Sequence, residues 1–464
     1  MPTPPPDTTV APPAAVDLLP GIRGLSGPAL AERLTTWIEQ GALPPGTRLP
    51  TIGDVAAASG LGRSTVAGTW SLLVDRGLVR TRRRGGTFVI GPPEPAGGGT
   101  PATGAPPAFT GWSGVDLASA HPAPERLPDL LDAFAHSLRR PHTNSLQREA
   151  ITPDLLDAVR PLWPFEAQEW VTVSGAGEAT LLTAEAATAA GGRIAVQQPA
   201  VSGTVGNLRS VGFDVVGVDS DPSGPLPDSL DRALHGGART FVHQPGGEFT
   251  FAGAAAEARL AELADVLATH PDTWVLEEDV LGPLAPARSP GLGPLLPGRV
   301  LRITSFCRAY GLDLRTTVVG GARDVVLGVR RLRSHGILAQ SRILQNALAH
   351  LLTTPAVAEL VDASARWYAG RADALAIALA RHGVPAATPP GGFVVWFPVE
   401  NEDEALAELG RQGIVLPPSS RVYATPPEHS WLRVATPQLP ADPERISGLA
   451  AALAAAAQAA VLSG

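Results

Sequence analysis

Arg63, Ser64 and Thr65 stand side by side where a helix is predicted to begin, and Arg82, Arg83 and Arg84 form a basic run on a predicted turn. Guanidinium and hydroxyl groups in such places reach phosphate oxygens and base edges, the chemistry of duplex DNA binding. Arg48, followed by Pro50 and Thr51, suits a backbone contact ahead of a helix, and Gly86 and Thr87 lie just beyond the basic run. Two plainer readings stand beside this one. Ser64 or Thr65 could cap the helix, and adjacent arginines on an exposed turn could simply be solvated.

Elsewhere the chemistry is defined by what is missing. All 36 basic residues are arginine, so no side-chain amine is present to form a Schiff base. A single cysteine excludes a disulfide framework and a cysteine-based zinc site. That residue, Cys307, is either a thiolate favoured by the neighbouring Arg308 or, more plainly, a small buried thiol. His243 and Gln244 fall at a strand end, where a lone histidine is usually structural. No set of His, Asp and Glu has metal-ligand spacing, and no nucleophile, base and orienting acid can be assembled.

The elements that must position the DNA-directed residues are legible. From Pro28 the apolar residues Leu30, Leu34, Trp37 and Ile38 recur at helical spacing until Gly41. Thr51 has the side chain of an N-cap for a short helix that Gly60 ends, and Arg63 opens a third helix running to about Asp75. Leu30, Leu34, Trp37, Val66 and Leu73 are its predicted core. LVRT and GTFVI, joined by RRRGG, then predict a hairpin. Three helices and a hairpin within residues 18–92 are the plan of a winged helix-turn-helix. That segment holds nine arginines against four acids, whereas the rest of the chain holds 27 against 40. A small basic module joined to a large acidic one suggests that only the first touches a polyanion.

Residues 1–17 are Pro-rich and predicted to be an unstructured tail, and 93–112 form a Pro/Gly-rich linker. From 113 to 464, short β-branched runs such as WVTVSG, RIAVQQP, FDVVGVD and VLRITSF alternate with amphipathic stretches. This alternation predicts an α/β fold with a mostly parallel sheet ending near residue 325, followed by helices and a small C-terminal α+β subdomain. No secretory signal or membrane span is legible, so a cytoplasmic protein is expected.

The string RLPTIGDVAAASGLGRSTVAGTWSLLVDRGLVRTRRRGGTFVI resembles the winged helix-turn-helix of the GntR family of transcription regulators. Gly53 departs from the family pattern, which usually carries an arginine there. The remainder resembles the fold type I aminotransferase domain that the MocR subfamily carries behind its DNA-binding module, through VTVSGAGEA, RIAVQQPAVSGT, WVLEEDVLGPL, LRITSFCRAYGLDLRTTVVGG, GGFVVWF and WLRVATPQL.

The resemblance implies a pyridoxal phosphate site, and this sequence departs from it place by place. The lysine place after Ser305 is Arg308, whose guanidinium is not a nucleophile. The acid facing the ring nitrogen would be Glu278, or Asp279 with a one-residue shift; the ring-hydroxyl tyrosine is Val280 and the stacking tyrosine is Val201. In the phosphate turn, Gly175 is followed by Ala176 and Gly177 instead of Ser and Gln. Two anion-binding places survive, Arg315 for the phosphate and Arg433 for an α-carboxylate.

The expected protein is a homodimeric, sequence-specific regulator that binds a double-stranded DNA operator. Its non-catalytic large domain would take an anionic metabolite without covalent chemistry. Other readings stay open: non-covalent pyridoxal phosphate, a bare dimerisation scaffold, a ligandless core in which Arg308 pairs with Glu278 or Asp279, and an aminotransferase with an added domain.

Overall fold

The structure is a computed structural model that describes residues 21–39, 43, 47–76, 78–82, 86–89, 115–141, 149–251, 253–285, 290–334 and 340–458. The tail 1–17 and the linker 93–112 lie outside the described residues. Packing divides the chain into two units, Met1–Gly97 and Gly98–Gly464.

In the first unit, helices α1 (Gly27–Glu39), α2 (Ile52–Ser59) and α3 (Arg63–Asp75) precede the antiparallel pair β1 (Val79–Arg82) and β2 (Gly86–Val89). Leu30 and Leu34 of α1 and Val66 and Leu73 of α3 are fully buried against one another, while Trp37 is only partly buried at the edge of that cluster. Burying four such side chains contributes about 1.5–3 kcal/mol each, which is why 13-residue helices hold here. Local signals set the ends of α2. Thr51 and Asp54 form a reciprocal capping box, and Gly60 closes the helix at φ +81°. Arg48 bridges Phe88, so the segment entering α2 lies along the hairpin as a third, minimal strand.

The second unit is built on a seven-stranded sheet. Its spatial order is Glu169–Val173, Thr317–Gly321, Val300–Ser305, Trp274–Asp279, Ala238–His243, Arg193–Gln197 and Asp214–Val218. All neighbours are parallel except around Thr317–Gly321, which runs antiparallel to both of its partners. The strands are buried on both faces under helices, so they read as continuous apolar runs and not as alternating ones. Long helices Arg342–Thr353 and Pro355–Arg381 follow, then a subdomain with the pair Val394–Val399 and Ser430–Ala435. Val115–Asp116, at the start of the unit, pairs with Ile414–Val415 and closes that subdomain from the opposite end of the chain. Among the described residues no helix is long and apolar enough to cross a membrane.

Candidate functional site

The DNA-directed residues divide by burial. Arg63, Ser64 and Thr65 are all exposed on the first turn of α3, and Val66 is the first residue to turn inward. The N-cap of α3 is Gly62, with no side-chain hydrogen bond, so neither Ser64 nor Thr65 is spent on capping. The Arg63 guanidinium lies over Gly53, with Nη2 3.5 Å from where a Cβ would stand. A longer side chain at 53 would displace it, so Arg63 supplies positive charge beside the place where the family carries its arginine.

Arg48 is exposed and lies across the hairpin, its Nε 3.0 Å from where a Cβ at Gly86 would stand. Gly86 has φ +96°, so the position needs glycine for its backbone and for the close approach of Arg48. Two expectations are corrected. Pro50 is buried where the chain enters α2, and Thr87 is only 6% exposed, so both serve packing and not a surface contact. Thr51 is exposed but is engaged in the capping box. Arg82 ends β1 opposite Gly86, and Arg83 and Arg84 lie outside the described residues.

In the large unit the relevant residues gather at the carboxyl ends of the parallel strands, where open α/β sheets place ligands. Glu278 accepts hydrogen bonds from Thr180 Oγ1 at 2.7 Å and Thr204 Oγ1 at 3.0 Å. Burial nevertheless pushes its carboxyl above the usual range. Asp279, the next residue, faces the other way. It accepts from Arg302 Nη2 at 3.0 Å, Thr304 Oγ1 at 3.1 Å and the Gly282 amide at 2.9 Å. Glu277 lies 3.4 Å from Arg302 and 3.6 Å from His243. Burial opposes its charge, and His243 and Arg302 more than offset this, holding its pKa below the ordinary value.

Arg308 pairs with neither Glu278 nor Asp279. It donates to the carbonyls of Val280 at 3.0 Å and Ala120 at 3.4 Å, and stacks 4.9 Å from the Phe249 ring. Burial lowers its pKa. Arg433, 4% exposed, reaches only the Ala118 carbonyl, at 3.5 Å. Burial and the charge of Arg308 push its pKa down to about 10. Two guanidinium groups thus lie near each other with no carboxylate in ion-pair contact among the described residues, although the Glu248 carboxyl acts on Arg308 from a longer distance. Such an arrangement costs several kcal/mol per ion unless an anion completes it.

The wall beside Arg433 is aromatic. Trp396 lies directly opposite Arg433, and Pro398 opposite Trp431, so Trp396, Trp431 and Arg433 share one face of the strand pair. Phe251 packs on Trp431 and edge-on to Trp396, and the buried Trp396 Nε1 has no acceptor among the described residues. Arg315 is exposed, without a hydrogen-bond partner for its guanidinium among the described residues, and lies 3.9 Å from where a Cβ at Gly175 would stand, at the start of helix Ala176–Ala187. Ala176 and Gly177 open that helix without a hydroxyl or amide. Val280 and Ser305 are buried, and Val201 is half-buried against the same core.

Sequence reasoning missed Thr180, Thr204, Arg302 and Glu248. Glu248 is 2% exposed, and one of its oxygens has no hydrogen-bond donor. Burial, reinforced by the charge of Asp279, pushes its pKa up to about 8.

A winged helix-turn-helix followed by an aminotransferase-type fold is the architecture of the MocR-type regulators, and the chain is similar to proteins built in that way. Residues 28–89 match the bacterial regulatory proteins of the gntR family, and residues 253–446 match the aminotransferases of class I and II. Among characterised relatives, the vitamin B6 salvage pathway transcriptional repressor PtsJ of Salmonella typhimurium is 28% identical, over 88% of this chain and 94% of its own. The HTH-type transcriptional regulator TauR of Rhodobacter capsulatus is 27% identical over 94% and 98%. The fold of the large unit is that of LysN, the α-aminoadipate aminotransferase of Thermus thermophilus. That match has a TM-score of 0.64 at 20% identity, over 74% of this chain and 92% of LysN.

Proposed function

We propose that the large unit of this DNA-binding transcription regulator is a non-catalytic receptor for a small di- or tricarboxylate-like anion. The anion would be held by Arg308 and Arg433 against the Phe251, Trp396 and Trp431 wall. The observation that carries the reading is the half-buried Arg308 beside the buried Arg433, whose guanidinium groups donate, among the described residues, to carbonyl oxygens. A dicarboxylate supplies the missing counter-charge, and Trp396 Nε1 offers a neutral donor beside it.

The residues present do not fit pyridoxal phosphate as a covalent cofactor. The chain has no lysine, the acid at 278 is already taken by two threonine hydroxyls, and no aromatic ring stands at Val201. A second reading, pyridoxal phosphate held without a covalent bond, draws support from Arg315 beside Gly175 and from the vitamin B6 role in the name of the relative PtsJ.

The test is a thermal-shift screen of carboxylate and phosphate anions on the whole chain. At least one di- or tricarboxylate should raise the melting temperature of the large unit by about 2–4 °C. Arg433→Met should abolish that rise while making the ligand-free protein more stable. Failure of every carboxylate sinks the proposal, and a rise with pyridoxal phosphate alone, without a borohydride-sensitive band at about 400–430 nm, selects the second reading.

A further inference from the structure

We propose that Asp231, His235 and His270 form a binding site for a divalent transition-metal ion of the zinc class, on the surface of the large unit and away from the cleft. Asp231 and His235 are four residues apart on helix Pro227–His235, so their side chains share one face of it. His270 follows helix Glu257–Ala268, which packs alongside. The Oδ1 atom of Asp231 lies 3.2 Å from His235 Nδ1 and 3.4 Å from His270 Nε2, and one ligand atom from each residue falls within 4.8 Å of the other two.

The two Asp231–imidazole separations are those of a ligand shell, and the two imidazole nitrogens, within 4.8 Å of each other, would close on an ion by turning the exposed His235 ring. Metal–nitrogen and metal–oxygen bonds of about 2.0–2.1 Å place adjacent tetrahedral ligands about 3.3–3.4 Å apart. The hydrogen bond between His270 Nε2 and Asp231 is long, at 3.4 Å, and leaves the pair loosely held without an ion. The two rings stand 4.8 Å apart and 88° from parallel, so they approach the same carboxylate oxygen in different planes. Two imidazoles and one carboxylate are the ligand set that zinc and its neighbours prefer, and a fourth position remains for water because the His235 side chain is 69% exposed. The same Nδ1 lies 3.0 Å from the Asp231 carbonyl oxygen, to which it donates, and the exposure leaves room for the ring to turn and present a nitrogen free of that hydrogen bond.

The molecule carries its own control. Asp132, His136 and His350 repeat the same residue types, with His350 3.1 Å from Asp132, but their rings are stacked 4.4 Å apart and 19° from parallel. A bound ion would clip the two helices together at the Asp214–Val218 end of the sheet and stabilise the large unit by mass action. From sequence the set was invisible, because the Asp231–His235 spacing is completed only by packing against the following helix.

The experiment is calorimetric titration of ZnCl2 into the untagged, chelator-stripped full chain, with melting curves in parallel and MgCl2 as control. Binding of one Zn2+ per chain at this site, with a rise in melting temperature, is expected. His235→Ala and His270→Ala should each weaken binding about tenfold or more, and His350→Ala should leave it unchanged. His235 is exposed, so H235A tests the site without disturbing the core. Absence of stoichiometric Zn2+ binding, or wild-type affinity and melting shift in H235A, overturns the proposal.

Discussion

The two units of this chain treat charge in opposite ways. In the winged helix Arg48 and Arg63, the arginines expected to face DNA, stand exposed on a small apolar core, and each leans across a glycine. In the large unit Glu277, Asp279, Arg302 and Arg433 are buried, with Glu248 beside them. Exposed charge costs little to keep and can be read by a polyanion; buried charge persists only where a partner stabilises it. The large unit therefore keeps a cluster of buried charges that partner one another, in a chain that has no lysine amine.

The sharpest way to break this contrast is to remove the cation that holds two buried acids. Arg302→Ala leaves Glu277 and Asp279 without their shared partner. It should destabilise the large unit by about 3–5 kcal/mol, read as a drop in the denaturant midpoint. The melting of residues 21–89 should be untouched. A small change would mean that water reaches these acids and that the cleft is open.

A smaller effect comes from Glu248. Its carboxyl is raised from 4.5 to about 8, so the folded state holds a proton that the unfolded chain releases between those values. The sign follows: stability from this group is full below about pH 4.5 and is lost as pH rises through about 8. Glu248→Gln, which keeps the neutral shape, should flatten that fall by an amount on the order of a few kcal/mol at most. Parallel pH–stability curves for E248Q and the wild type would place the proton elsewhere.

Legibility followed locality. Thr51, Gly60 and the Leu30–Leu34 periodicity are signals carried within a few residues, and each stands in the structure where the sequence put it. The absence of lysine from the chain was equally plain, being a matter of residue type. What holds the cleft together was not legible, since Thr180, Thr204 and Glu278 come from three separate elements and meet only through the sheet order. The same holds for Trp396 opposite Arg433, which is a matter of strand register. Pro50 and Thr87 erred for a related reason: family spacing marks a position as near DNA but does not say which way its side chain turns.

The smallest predicted effects separate the two kinds of residue at the DNA face. Arg63→Ala removes an exposed guanidinium from the first turn of the recognition helix and should weaken operator binding by about 1–3 kcal/mol, with the fold intact. Thr51→Ala removes the hydroxyl that accepts from the Asp54 amide, and should cost about 1 kcal/mol of winged-helix stability. At temperatures well below melting, nearly all molecules remain folded after a loss of that size, so gel-shift affinity should scarcely change in T51A. If T51A instead weakens binding as much as R63A while its melting point holds, the threonine hydroxyl contacts DNA and the capping box is incidental. The contrast between a residue that shapes the surface and one that reads with it would then move to a different position on α2.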